Sequence, residues 1–249
     1  MNITFKERLK RRDILLGPLV TLGSTEVAEI LSKVGFDWLW IEMEHATTGL
    51  TRAQEMIQAT AGRLPCIVRV PWNDAVWIKR VLDIGCDGVV IPQIRSAGEA
   101  REAVRACMYP PAGTRSVGVA RAQGFGMDFQ DYLKHANERL TIILQTEHID
   151  AVSNIDAILD VAGFDAVLIG PYDLSASMGL TGQISHPDVQ QAIGKIKDAC
   201  AARSFPMGIF ADDAQAAKLH IDGGCTLIAL GVDAMYLWKS AKQAVSELR

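Results

Sequence analysis

The sequence predicts a closed (β/α)8 TIM barrel, and three observations support that fold class. Eight short apolar runs alternate with amphipathic stretches, the pattern of parallel β/α units. The runs are continuously apolar rather than alternating, as strands buried on both faces are. The chain has 249 residues, and one such barrel takes about 250, so a single barrel domain with an N-terminal helix would occupy residues 1–249. An open doubly wound sheet is the alternative. It would want G-x-G-x-x-G after the first strand, where the chain has TLGSTEVAE.

The first segment, MNITFKERLKRRD, is charged and helical in pattern, with no apolar core of a signal peptide. The strands follow as LLGPLVTL (15–22), GFDWLWIE from Gly35, PCIVRV (65–70), GCDGVVIPQ from Gly85, LTIILQT (140–146), GFDAVLIGP from Gly163, PMGIF (206–210) and GGCTLIALGV from Gly223. Four of them thus open on a glycine after a helix-like stretch, where a left-handed C-cap is expected. EVAEILSKV, DAVWIKRVLDI, AGEAREAVRAC, HPDVQQAIGKIKDACAAR and similar stretches supply the helices. Residues 93–139 and 171–205 are long excursions after the fourth and sixth strands. Both leave the C-terminal ends of strands, the face where barrel enzymes do their chemistry.

Composition narrows the function classes. Apolar residues are 49% and charged residues 22%, with 25 basic against 29 acidic residues and a net charge of −4. That mild acidity gives no reason to expect nucleic acid or an anionic membrane as partner. No apolar run approaches the roughly 18 residues of a membrane span. The five cysteines form no Cys-x-x-Cys pair and sit in apolar contexts, as reduced thiols of a cytoplasmic protein do.

Polar groups just past the strand ends are the candidates for chemistry: Glu42, Glu44, His45, Arg69, Gln93, Arg95, Gln145, Glu147, Asp173, Asp212, Asp213 and Asp233. No lysine is among them, which sets Schiff-base catalysis aside, and no G-x-S-x-G elbow occurs. The last two strand-end loops, GIFADD and ALGVD, lack a glycine-rich phosphate cup. Glu147 and Asp173 on neighbouring strands could share a hard divalent ion, with water and a chelating substrate completing its shell. The same two residues also read as helix caps, and spacing alone favours the cap. His45 suits general acid–base work or a structural hydrogen bond. Arg69 interrupts an apolar strand and must face a carboxylate or an anionic ligand. Gly170 and Pro171 open a short helix whose Tyr172 and Asp173 amides suit a carboxylate.

In these residues the chain resembles the HpcH/HpaI aldolases, metal-dependent 2-keto acid aldolases. FDWLWIEMEHA, PCIVRVPWND, YPPAGTRSVG, LQTEH and DAVLIGPYDLSASMG run in family order over nearly the whole chain. The resemblance implies a barrel of the phosphoenolpyruvate/pyruvate type, a hexamer with sites near subunit contacts, and a divalent ion (Mg²⁺, Mn²⁺ or Co²⁺). It implies Glu147 and Asp173 as metal ligands, and Gln145, Gly170, Tyr172 and Asp173 as keto acid contacts. It implies His45 as proton acceptor, Arg69 as enolate stabiliser, and Asp83 as the partner of a histidine across a subunit boundary. Glu42 and Met43, the ATTG turn after His45, Ser116 and Phe210 depart from the common family pattern. Ser116 and Phe210 are expected to border the aldehyde. The implied reaction is reversible aldol addition of pyruvate or hydroxypyruvate to an aldehyde. A citrate-lyase-like acyl-CoA lyase and a non-catalytic keto acid-binding barrel are the rivals.

Overall fold

A computed structural model describes residues 3–249 of the chain. Eight parallel strands close in sequence order into a barrel: β1 (Leu15–Val20), β2 (Leu39–Glu42), β3 (Cys66–Arg69), β4 (Gly88–Ile91), β5 (Thr141–Thr146), β6 (Ala166–Ile169), β7 (Met207–Ala211) and β8 (Leu227–Val232). Before them runs α1 (Phe5–Lys10). Between them lie α2 (Thr25–Leu31), α3 (Leu50–Thr60), α4 (Ala75–Asp83), α5 (Ala97–Cys107), α6 (Phe129–Arg139), α7 (Ile149–Ser153), α8 (Ile155–Leu159), α9 (Pro171–Ser177), α10 (Pro187–Ala202) and α11 (Ala214–Asp222); α12 (Asp233–Ser246) follows β8. The barrel is the expected one, and the open sheet is excluded by the β1–β8 pairing. The excursion 93–139 is built as α5, a 3₁₀ turn (Arg121–Gly126) and α6, and the excursion 171–205 as α9 and α10.

The recurring Gly-x-Asp segments have a shared structural duty. Asp37 accepts the Leu16 N–H at 2.9 Å, Asp87 the Cys66 N–H at 2.8 Å and Asp165 the Ile142 N–H at 3.0 Å. Each aspartate before an even strand thereby ties down the start of the odd strand preceding it, at the N-terminal end of the barrel. The left-handed φ expected of the preceding glycines is present at Gly35, Gly85 and Gly163; in the fourth copy Gly224 adopts it, while Gly223 is the ordinary C-cap of α11. Lys6 and Arg8 of α1 then pair with Asp165 at 3.2 Å and Asp37 at 2.8 Å. Phe5 and Leu9 of α1 are buried with the barrel interior, so this helix plugs the bottom.

The interior is filled by side chains of one parity on each strand: Leu15, Trp38 and Trp40, Ile67, Val90, Ile143, Ala166 and Leu168, Leu227 and Ala229. The opposite parity packs outward under the helices, in a larger cluster with Leu39, Ile41, Val68, Leu144 and Ile169. Both faces of each strand are dry, which is why the runs read as continuously apolar. β1 ends at Val20, short of the apolar run's Leu22. The buried Asp233 carboxylate takes the Thr21 and Leu22 N–H groups at 2.9 and 3.0 Å and ends the strand. No helix among the described residues is long and apolar enough to cross a membrane.

Candidate active site

Continuing the inward parity one step toward the C-terminal mouth names the site. Beyond Trp40 it reaches Glu42, beyond Ile67 Arg69, beyond Ile143 Gln145, and beyond Leu168 Gly170. The barrel geometry that points the apolar layers inward therefore points these groups into one mouth. A cavity of about 360 Å³ lies there, lined in part by His45, Arg69, Gln145, Gly170, Tyr172, Asp173 and Phe210.

Arg69 is buried and held from several sides. Its Nε donates to Glu42 Oε2 at 2.7 Å and lies 3.2 Å from Glu44 Oε2. One terminal nitrogen donates to Gln145 Oε1 at 3.3 Å, and the guanidinium stands 4.9 Å over the Trp40 ring. Glu42 also accepts the Glu44 and His45 N–H groups at 2.6 and 2.8 Å, so one buried carboxylate fixes both the arginine and the turn that carries His45. The His45 side chain itself remains 61% exposed at the cavity wall. Glu44 Oε2 is buried without a hydrogen-bond partner, and burial pushes its carboxyl above the usual range.

Gln145 Nε2 donates to Glu147 Oε2 at 2.5 Å, and the Gln93 N–H donates to Glu147 Oε1 at 2.9 Å. Glu147 is not a helix cap: the cap of α7 is His148. Burial pushes the Glu147 carboxyl up to about 8, and the charges of Glu44 and Asp173 act in the same direction. Gly170 is required here by space. A Cβ on it would stand 2.5 Å from Glu147 Oε2 and 2.9 Å from Gln145 Nε2. Asp173 lies in the first turn of α9, whose N-cap Gly170 supplies no side-chain bond.

The residues fit a divalent cation in donor chemistry. The raised Glu147 describes a buried carboxylate short of positive charge, and Glu147 and Asp173 offer the hard oxygen donors that Mg²⁺ or Mn²⁺ prefers. Among the described residues no three His, Cys, Asp or Glu side chains converge as a complete ligand set. Two protein carboxylates would leave the remaining positions to water and substrate oxygens, the open arrangement of catalytic rather than structural ions.

Two sequence candidates lie elsewhere in the chain. Ser116 is exposed in the excursion after β4 and is not on the cavity wall of its own chain. The excursion folds toward α4, where Arg115 donates to Asp83 at 2.7 Å. Asp83 is thus half-buried at the end of α4 and does not meet His45 of its own chain. Sequence reasoning gave no role to Leu19, Trp40 and Met235, which line the cavity. Strand parity could have singled out Trp40, and Leu19 as the inward continuation from Leu15; nothing local marks Met235.

A closed parallel barrel with acids, an arginine, a glutamine and a histidine gathered at its C-terminal mouth defines a barrel enzyme of the kind that works at that face. More narrowly, the chain belongs to the HpcH/HpaI aldolase/citrate lyase family, whose model matches residues 19–240. It is 40% identical to a hydroxypyruvate/pyruvate aldolase of Paraburkholderia phytofirmans, covering 98% of this chain and 96% of the relative. It is 41% identical to a 4-hydroxy-2-oxo-heptane-1,7-dioate aldolase of Escherichia coli, covering 97% and 93%. Among solved structures, a HpcH/HpaI aldolase/citrate lyase family protein from Burkholderia cenocepacia superposes with a TM-score of 0.96 at 35% identity, covering each chain completely. The chain is an aldolase-type carbon–carbon lyase.

Proposed function

We propose that the chain is a divalent-metal-dependent aldolase that joins the C3 carbon of pyruvate or hydroxypyruvate to an aldehyde, and reverses that step in cleavage. The observation that carries this reading is the single buried network Glu42–Arg69–Gln145–Glu147 ending at Gly170, with His45 exposed beside it. Glu147 and Asp173 would hold the cation. When bound, it would act as a Lewis acid toward the 2-oxo group and make the C3 proton easier to remove.

The remaining steps fall to side chains of this protein. The keto acid carboxylate lies against the Tyr172 and Asp173 amides, with Gln145 close to its 2-oxo group. His45, or a water it orients, takes the C3 proton; its exposure at the cavity wall supports that role. Arg69 faces the enolate oxygen with a guanidinium already oriented by Glu42 and Gln145, so charge can develop there without reorganisation. The C3 carbon then bonds to the aldehyde carbon, and the proton held at His45 passes to the new alkoxide.

Asp83 is assigned to the histidine of a neighbouring copy, in a homo-oligomer that we take to be a hexamer. Supporting an oligomer, every residue from Tyr236 onward is exposed, including Leu237, Trp238 and Val245 of α12. A cytoplasmic location fits the five free thiols. The decisive experiment follows pyruvate C3 proton–deuterium exchange and aldol product with Mn²⁺ and with EDTA. Metal-dependent exchange and product are expected; exchange undiminished by exhaustive chelation would sink the reading.

A further inference from the structure

We infer that Arg115 is a positioning residue for the aldol reaction, holding one oxygen of Asp83 so that the other meets the partner's His45. The inference rests on the aldolase reading above, with Asp83 assigned to the histidine of a neighbouring copy, and adds the group that orients it.

Each of the two groups is costly where it stands. Asp83 is the last residue of α4, the end at which the helix dipole disfavours a negative side chain. Arg115 is 3% exposed, and its Nε has no hydrogen-bond acceptor among the described residues. A well-packed apolar side chain would avoid that cost. The two meet in a charge-assisted bond, with an Arg115 terminal nitrogen donating to Asp83 Oδ1 at 2.7 Å. Among the described residues Oδ2 accepts no hydrogen bond, and the Asp83 side chain keeps 24% exposure. One oxygen is therefore fixed from inside the chain while the carboxylate still reaches the surface.

The excursion after β4 is shaped around this arginine. Between Tyr109 and Gln123 it is the only buried residue, and the chain is exposed again from Ser116 to Val119. The Arg115 N–H donates to the Met108 carbonyl at 2.9 Å. Its guanidinium stands 4.5 Å over the Tyr109 ring and donates to the Tyr132 hydroxyl at 3.3 Å. Tyr109 is itself held, its hydroxyl by Gln123 at 3.1 Å and its N–H by Asn137 at 2.8 Å. A flat cation stacked on a fixed ring has little freedom, and a carboxylate tied to it shares that orientation. Arg115 does not line the cavity, so it reaches the chemistry through Asp83. Asp83 then presents Oδ2 to the partner's His45 without first losing rotational freedom.

The test is a double-mutant cycle read by pyruvate C3 deuterium exchange with Mn²⁺. Arg115→Lys keeps a charge but loses the flat fork that stacks and donates together. It is expected to slow exchange about tenfold or more in the native background and less than about twofold in Asp83→Asn. Mn²⁺ affinity and pyruvate KM should stay at their native values. Tyr132→Phe, which removes only the hydroxyl acceptor, should slow exchange roughly two- to threefold, and again only where Asp83 is present. This milder variant keeps the test open if Arg115→Lys does not fold. Native exchange in both variants, or the same slowing with and without Asp83, would leave Arg115 a purely structural residue and overturn the inference alone. Native exchange in Asp83→Asn overturns the Asp83 assignment and this inference with it, whereas no exchange by the native protein overturns the aldolase reading as well.

Discussion

Glu42 and Arg69 are register partners on neighbouring parallel strands, and their buried side chains meet at 2.7 Å. Because β2 and β3 pair residue for residue, the same parity that points Trp40 and Ile67 inward brings acid and base together one step higher. The pair lies in dry surroundings, where an ion without its partner is costly.

Glu42→Gln should therefore lose both stability and rate. It leaves the Arg69 charge with Glu44 alone at 3.2 Å and weakens the hold on the His45 turn. Breaking one side of a buried pair typically costs about 3–5 kcal/mol. Chemical denaturation should read a loss of that order, and C3 exchange should fall with it. An unchanged midpoint would mean that Glu44 fully replaces Glu42.

The raised Glu147 predicts a pH effect that the cation reverses. Folded Glu147 keeps its proton up to about pH 8, whereas its ordinary value is 4.5. Its contribution favours the fold fully below pH 4.5 and is lost as pH rises through 8. The loss amounts to roughly 5 kcal/mol at most for a shift of this size. The Tm of chelator-treated protein should fall between pH 5 and 9, and added Mn²⁺ should restore more of it at pH 9 than at pH 5, since binding expels the proton. A Mn²⁺ stabilisation that is flat with pH would remove Glu147 from the ligand set.

At Gly170 the prediction is steric. Gly170→Ala places a methyl 2.5 Å from Glu147 Oε2 and 2.8 Å from its Cβ, so the Glu147 and Gln145 side chains must shift. Metal affinity should drop at least tenfold, read by Mn²⁺ titration, and turnover should drop with it. Normal affinity would show that the Gln145–Glu147 pair can shift without consequence.

The separation of Asp83 from His45 within one chain gives a complementation test. His45→Ala and Asp83→Asn proteins should each be at least a hundredfold slower than the native enzyme. Unfolded together and refolded, they should form mixed oligomers in which some sites carry both native residues, and activity should recover to a measurable fraction. Mixtures no more active than the two parents would place Asp83 outside the catalytic group, as a structural partner of Arg115.

Much of this was legible in the sequence because it depends on short stretches of chain. Apolar runs such as TIILQT and AVLI mark strands with two dry faces, and the glycines that follow helix-like stretches mark where even strands begin. The chemistry-bearing side chains were visible as polar residues at the ends of those runs, with Arg69 conspicuous inside one. The tertiary structure alone decided what depends on which strands are neighbours and which parity faces inward. It made Glu42 the partner of Arg69 and turned Glu147 from a candidate cap into a buried acid pressed against Gly170. It also set Ser116 apart from its own chain's cavity, in an excursion after β4 that folds toward α4 and brings Arg115 to Asp83. A strand's own residues specify its burial, but a contact across a barrel exists only once closure brings distant strands to a common mouth.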